Sequence, residues 1–328
     1  MGAYVAGRLL HVLPVVIGVS LLVFLIGHLT PGDPVALMFG LEAGADPELM
    51  ASIRRELGLD QPLHIQYLRF LGGLARGDLG RSIRTGDKVV REIQARLPAT
   101  AELALSALLI SVAIGVTAGV ISAAYRNSGF DYASTFGALF GVSVPAFWLG
   151  LMLMYFLAVR VPLFPVSGRA MPLVQALGLS LTGEFWQFGM AARHLVLPAI
   201  TLGLPSAALV ARLTRSAMLE VLGQDYVRTA RAKGLGERTV LYRHALRNAM
   251  IPVVTMVGLQ FGFLLGGAVI TESVFAWPGI GRLVVQAIQQ RDFPLAQGIV
   301  MIVALIFVLV NLLVDLAYGA LDPRVRYR

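Results

Sequence analysis

The sequence predicts an all-α integral membrane protein of six transmembrane helices, and three observations carry that prediction. Charged residues make up 14% of the 328 positions and hydrophobic ones 57%, whereas roughly 25% charged is usual for a soluble domain. Six mostly apolar runs, 9–29, 100–124, 132–159, 195–218, 250–270 and 295–321, each reach the ~20 residues that a bilayer crossing requires. The basic residues alternate in density between them. Thirteen fall on the side that holds the N-terminus and five in the short loops opposite, which by the positive-inside bias places both termini in the cytoplasm.

The first run also has the look of a secretory leader, because Arg8 precedes an apolar core. A leader's apolar region spans about 7–15 residues, and 9–29 is longer and lacks a small-x-small exit, so 1–29 reads as an uncleaved first helix. Residues 30–99 read as an external loop domain. Nine basic and nine acidic side chains balance between 30 and 98, and a loop longer than about 60 residues escapes the charge rule. Within it, Asp46-Pro47-Glu48 offers a cap, a first-turn proline and an early acid, and Gly58 a left-handed stop, predicting a surface helix over 47–57.

Residues 100–328 read as a five-helix core carrying a cytoplasmic loop at 219–250. Glycines four apart, Gly115 and Gly119, Gly137 and Gly141, and Gly258, Gly262 and Gly266, mark faces where helices approach closely. The fourth run is the least regular, since Pro198, Pro205 and Arg212 interrupt it. Asn311, Asp315 and Gln260 are polar groups at membrane depth, whereas Glu102 lies near the outer boundary, where a charge costs little. Trp186 and Trp277 suit an interfacial belt, and Pro278-Gly279-Ile280-Gly281 breaks the chain beyond the fifth run to shape an outer gate. Ser143, Gln260 and Glu272, in or beside the third and fifth runs, are the candidates to line a translocation path.

The segment 225–254, DYVRTARAKGLGERTVLYRHALRNAMIPVV, is strongly basic between two apolar runs. Asp225 is placed to cap a short helix through Lys233, and Gly234 to stop it; a second helix runs from about 237 to 248, ahead of Pro252. Tyr226, Ala230, Ala232 and Gly234 would form a small, smooth face, and Val240, Leu241, His244 and Ala245 an apolar strip. Arginines held against anionic lipid, at about 1 kcal/mol each, explain the charge. A lipid-facing loop has no need of a glycine stop between two helices, whereas a knob fitted to a groove on another protein would use one; composition favours the lipid-facing reading, and the residues leave both open.

These residues resemble the signature loop of binding-protein-dependent ABC permeases, whose pattern is Glu-Ala-Ala, three residues, then Gly. More closely, the chain resembles the dipeptide, oligopeptide, glutathione and nickel branch over nearly its whole length. The matching pieces are PGDP at 31–34, ELGLDQP at 56–62, GDLGRS at 77–82, PVSGR at 165–169, TRSAMLEVLGQDYVRTARAKGL at 214–235, HALRNAMIPVV at 244–254, WPGIG at 277–281, RDFP at 291–294 and NLLVDLAYGALDPRVRY at 311–327. Arg228 and Thr229 stand at the Glu and first Ala positions, leaving Ala230 and Gly234 of the core pattern, and Leu246-Arg247 replaces the wider family's Leu-Pro. The resemblance implies the type I importer permease fold in a bacterial or archaeal cytoplasmic membrane. It implies, too, a second homologous permease, two cytoplasmic ATP-binding subunits that hold ATP and Mg, and an external binding protein. Tyr226, Ala230, Ala232, Gly234, Leu235, Val240 and His244 would then couple this chain to the ATPases. Short peptides are the expected cargo, with glutathione or nickel as alternatives, and no nucleic acid is expected to bind.

Other classes fit poorly. The absence of cysteine excludes disulfides, thiolate catalysis and Cys-ligated metals. The two lysines, Lys88 and Lys233, are not followed by Ser or Thr, so there is no phosphate-cradling loop and ATP must be bound elsewhere. An intramembrane hydrolase would need a nucleophile and base on facing spans, yet neither HExxH nor GxSxG occurs, and His11, His28 and His194 lie at span ends. A secondary transporter would be expected to place ionisable groups at the midplane or show inverted repeats, and neither is evident.

Overall fold

The computed structural model describes residues 2–29, 47–56 and 58–321. In chain order the helices are α1 (Gly2–Leu29), α2 (Pro47–Glu56), α3 (Leu63–Ala75), α4 (Val89–Ala124), α5 (Gly129–Ser143), α6 (Ala146–Met154), α7 (Leu173–Leu181), α8 (Phe185–Leu222), α9 (Asp225–Ala232), α10 (Glu237–Thr239), α11 (Leu246–Gly267), α12 (Val269–Val274), α13 (Ile280–Gln289) and α14 (Phe293–Leu321). π-helical turns follow α6 and α10, at Tyr155–Arg160 and Val240–Ala245. Four helical stretches among the described residues are long and apolar enough to cross a membrane, and a bent pair makes a fifth; Leu13–His28 is a shorter apolar stretch.

Three expectations about continuity change. The run 132–159 is two helices bent by 101°. Val144, forced extended by the proline that follows it, makes the break with φ −83° and ψ 125°. Conversely, Pro198 and Pro205 do not interrupt α8, and the helix expected to end at about 248, ahead of Pro252, instead runs through that proline inside α11. A proline removes one donor, but nearby hydroxyls and neighbouring helices can satisfy the backbone it frees in a membrane bundle. Pro198 is itself buried and Pro205 is flanked by buried Ser206, Ala207 and Ala208, so neighbouring helices cover both positions. At Gly58, φ is +68°, and the N–H groups of Gly58 and Leu59 close the turn on Arg55 and Arg54 (3.0 and 2.9 Å). The expected cap at Asp46, the helix end at Leu57, the PGDP motif and the side chain of Asp315 lie outside the described residues.

The chain divides into two compact units, and the division differs from the expected boundaries. One unit joins residues 1–98 to 279–308, so α13 and the first half of α14 group with the N-terminal part. Its core is Val89 and Ile93 of α4, Ile280, Leu283 and Ala287 of α13, and Leu295 and Ile299 of α14. Asp292, 1% exposed, organises the turn between α13 and α14. Its carboxylate accepts from Ser82 Oγ, from the Ile83 and Arg84 backbone N–H (3.2 and 3.4 Å), and from Leu295 N–H (3.2 Å), which caps α14. Arg84 Nε adds a bond to the Gln290 carbonyl at 3.2 Å. The GDLGRS and RDFP segments are thus one structural feature.

The second unit joins 99–278 to 309–328. Small residues set its spacing. A Cβ at Gly119 would stand 2.6 Å from Thr214 Cβ and 2.7 Å from the Ala211 carbonyl, and one at Gly115 2.7 Å from Val210 Cβ. α4 and α8 therefore cross at backbone distance, as small-residue faces allow. Gly119→Leu is expected to cost about 1–3 kcal/mol through overpacking, read as a lower thermal midpoint in detergent, while Gly137→Ala, with nothing within 4 Å of its Cβ, should be neutral. Trp277, assigned by sequence to an interfacial belt, is instead 0% exposed, with Nε1 donating to the Ala99 carbonyl at 2.8 Å among Leu103, Leu195 and Leu264. Trp186 does lie exposed.

Candidate functional site

The hairpin between α8 and α11 is built by two changes of direction. Gly223 ends α8, and extended Gln224, not Asp225, occupies the capping position of α9. Asp225 is the first helical residue, where its carboxylate still meets the positive end of the helix dipole. At the far end Gly234 has φ +75°, and the N–H groups of Gly234 and Leu235 return to the carbonyls of Arg231 and Ala230 at 2.9 and 3.4 Å. That double closure is the left-handed glycine stop anticipated from sequence. Extended Gly236 then leads into α10, and the π turn runs on into α11 without a break.

Side chains lock this geometry at three points. Val227, Ala230 and Val240 are buried against Val221 and Leu222, the end of α8. Asn248 Nδ2 donates to the Tyr226 hydroxyl at 2.6 Å, and that hydroxyl donates to the His244 carbonyl at 3.5 Å. Arg231 grips Glu237 with two bonds, of 2.7 and 3.2 Å. The Glu237 hydrogen bond pushes the Arg231 guanidinium further above its usual range, so this exposed pair responds to salt rather than to pH. One expectation is corrected. Ala230, Val240 and Ala245 face inward and cannot form the outer face of a knob. The outward surface comprises Tyr226, Ala232, Gly234, Leu235 and Tyr242, with Arg228, Arg238 and Arg243 around them and His244 half-buried. What remains outside is a rigid, basic tip with two aromatic side chains, suited to pressing into a groove on a partner.

The three path candidates differ in burial and in hydrogen bonding. Ser143 is exposed, with its hydroxyl turned back to the Leu139 carbonyl at 2.8 Å, and Gln260 is half-buried. Glu272 is 0% exposed and accepts from Thr100 Oγ1 at 2.6 Å, which makes it a packing element of this structure rather than a lining one. A hollow of about 310 Å³ lined by Ile114, Ser134, Gly137, Phe140 and Leu204 includes none of them.

Two ion pairs escaped sequence reading. Glu102, read as a cheaply placed boundary charge, is paired with Arg169 of the PVSGR loop, each side chain only 11% exposed, and also accepts the Leu173 N–H at 3.1 Å. Asp131 takes two bonds from Arg215, at 2.6 and 2.8 Å, besides those from Ser122 Oγ and the Asn127 N–H. No sequence spacing could pair residues 67 and 84 positions apart.

Long apolar helices joined by a basic hairpin define an integral membrane component. The chain belongs to the family of binding-protein-dependent transport system inner membrane components, whose profile matches residues 115–327, with the family's N-terminal profile matching 1–104. It is 47% identical to the dipeptide transport system permease protein DppB of Alkalihalophilus pseudofirmus over 100% of both chains, and 46% identical to that of Escherichia coli K12 over 99% of both. The glutathione transport system permease protein GsiC of Salmonella paratyphi A is 43% identical over 99% of each. Among solved structures, the inward-facing MetNI methionine ABC transporter matches with a TM-score of 0.52 at 16% identity, over 70% of this chain and 96% of that one, a likeness of fold.

Proposed function

We propose that this chain is the membrane-spanning subunit of an ATP-driven importer that carries short peptides, di- or oligopeptides, from an external binding protein into the cytoplasm. The observation that carries the cargo is the end-to-end identity of 46–47% to dipeptide permeases, against 43% for the glutathione permease. A homologous second permease completes the path. Two ATP-binding subunits, which hold the ATP and Mg, dock on the hairpins of the pair.

In this reading Tyr226, Ala232, Gly234 and Leu235 make the ATPase contact, and Ala230, Val240 and His244 hold the hairpin's shape beneath it. Closure of the ATPase pair on ATP pulls the hairpins together. Because α10, the π turn and α11 run continuously, a push at the tip is delivered along α11 to the depth of Gln260, and π turns are frequent where helices must work. Ser143 and Gln260 remain the path residues of choice, both termini lie in the cytoplasm, and 30–99 forms the external domain.

The test is affinity capture of the tagged chain from native membrane in mild detergent, with every co-purifying chain identified by mass spectrometry. Two ATPases, a second permease and a binding protein loaded with di- or tripeptides are expected. Glutathione or nickel in that binding protein would overturn the cargo but not the machine. A chain that runs alone would overturn both in favour of an ATP-independent transporter.

A further inference from the structure

Within the N-terminal unit, α1, α13 and α14 enclose an open groove of about 430 Å³. Val23, Ile26, Val284, Ile288, Phe293 and Val300 give it apolar walls, and Arg291 stands among the lining residues. Gln297, a neutral group, also lines it, with Nε2 donating to the Val23 carbonyl at 3.3 Å. Among the described residues that line the groove, Arg291 carries the one charge.

Arg291 is held there at a conformational cost. Its φ is +57°, a left-handed conformation worth about 1–2 kcal/mol of strain for a residue with a Cβ. The turn enforces it: Arg291 N–H bonds to the Ile288 carbonyl at 3.1 Å and Asp292 N–H to that of Ala287 at 2.8 Å. This is a helix stop at which glycine is the usual residue. The neighbouring acid turns both carboxylate oxygens to Ser82, Ile83, Arg84 and Leu295 rather than to the guanidinium. Among the described residues no carboxylate pairs with Arg291, which is exposed, and Ile288, one turn earlier, is 64% exposed.

An unpaired cation beside an apolar groove, on helices that belong to an inner membrane component, is complementary to one kind of molecule. We infer that the groove holds an acyl chain of a phospholipid whose phosphate sits on Arg291. The volume lies within the range of ligand sites. A guanidinium matches phosphate oxygens two at a time, and the apolar walls take hydrocarbon that a free anion does not possess. The inference rests on the family and the groove, and is independent of the cargo.

The experiment uses the full chain in nanodiscs of phosphatidylethanolamine and phosphatidylglycerol doped with a phosphatidylglycerol bearing a photoreactive acyl chain, with cross-links mapped by peptide. Labelling is expected to concentrate on the peptides around Ile26, Ile288 and Val300. It should fall roughly fivefold in Arg291→Gln, the loss of one basic contact to an anionic lipid, and at least as far in Ala296→Phe, which fills the groove. Thermal midpoints establish that both variants are folded, and Arg291→Lys should restore part of the labelling. Equal labelling of wild type and Arg291→Gln, labelling spread evenly over all helices, or displacement by inorganic phosphate would overturn the proposal. So would a disulfide from Ile288→Cys to a cysteine introduced in another permease chain.

Discussion

Gly234→Arg is expected to abolish transport, by at least tenfold, while leaving insertion and the membrane helices intact. Two effects act at this position. The φ of +75° makes any residue with a Cβ pay about 1–2 kcal/mol for the left-handed stop, and that stop is what brings Glu237 back within reach of Arg231. Space inside the chain is not the obstacle, since a Cβ at Gly234 would meet nothing within 4 Å. A bulky side chain therefore reports on strain and on whatever partner covers the tip. The series Asn, Ala and Arg separates the two. Asn tolerates the left-handed region, so Gly234→Asn should keep most activity, Ala should lose part of it, and Arg should lose both transport and ATPase co-purification. Wild-type transport by Gly234→Arg would remove the hairpin from the coupling route.

The hairpin was legible because its information is local. A glycine nine residues beyond Asp225, with small residues between, specifies a short helix and its stop, and both form. What sequence reading could not supply was which face points inward. Ala230 and Val240 look like a smooth outer surface until Val221 and Leu222 at the end of α8 are placed against them. Hydropathy found the spans yet hid the 101° bend at Ser143-Val144-Pro145, because a window averaged over 132–159 stays apolar whether or not the chain turns within it.

Prolines misled in the opposite direction. Pro198 and Pro205 lower helix propensity in water, whereas α8 is held by its neighbours along most of its length, with Leu197, Thr201 and Val210 almost wholly buried, and packing outweighs propensity there. The charged pairs were invisible for a different reason. Glu102 with Arg169 and Asp131 with Arg215 each join residues far apart in the chain, and a single sequence carries no record of which acid meets which base. Glu272 was noticed for its polarity. Its burial beside Thr100 follows only from the fold.

The largest stability effect expected is at Asp292. Asp292→Ala removes one carboxylate that accepts four bonds; the Ser82 hydroxyl and the N–H groups of Ile83 and Leu295 lose their acceptor, while the Arg84 N–H keeps Ser82 Oγ at 3.2 Å. Hydrogen bonds to a charged group contribute about 1.5–3 kcal/mol, but the backbone contacts of 3.2–3.4 Å are long, so the sum is nearer 3 kcal/mol than four full bonds would give. Ser82→Ala, which loses the bond to Asp292 and the acceptor of the Arg84 and Thr85 N–H groups (3.2 and 3.0 Å), should cost about 2 kcal/mol. Asp292→Asn keeps the shape and one acceptor oxygen and should fall between. The measurement is thermal unfolding in detergent together with protease susceptibility of the 77–92 segment, which the carboxylate anchors to the start of α14. An Asp292→Ala protein as stable and as protease-resistant as wild type would mean that this loop is held by the apolar packing of Leu79 and Val89 around Ile299. Cleavage confined to 77–92, with the remaining helices intact, would instead identify Asp292 as the tie that holds the loop to the α13–α14 turn.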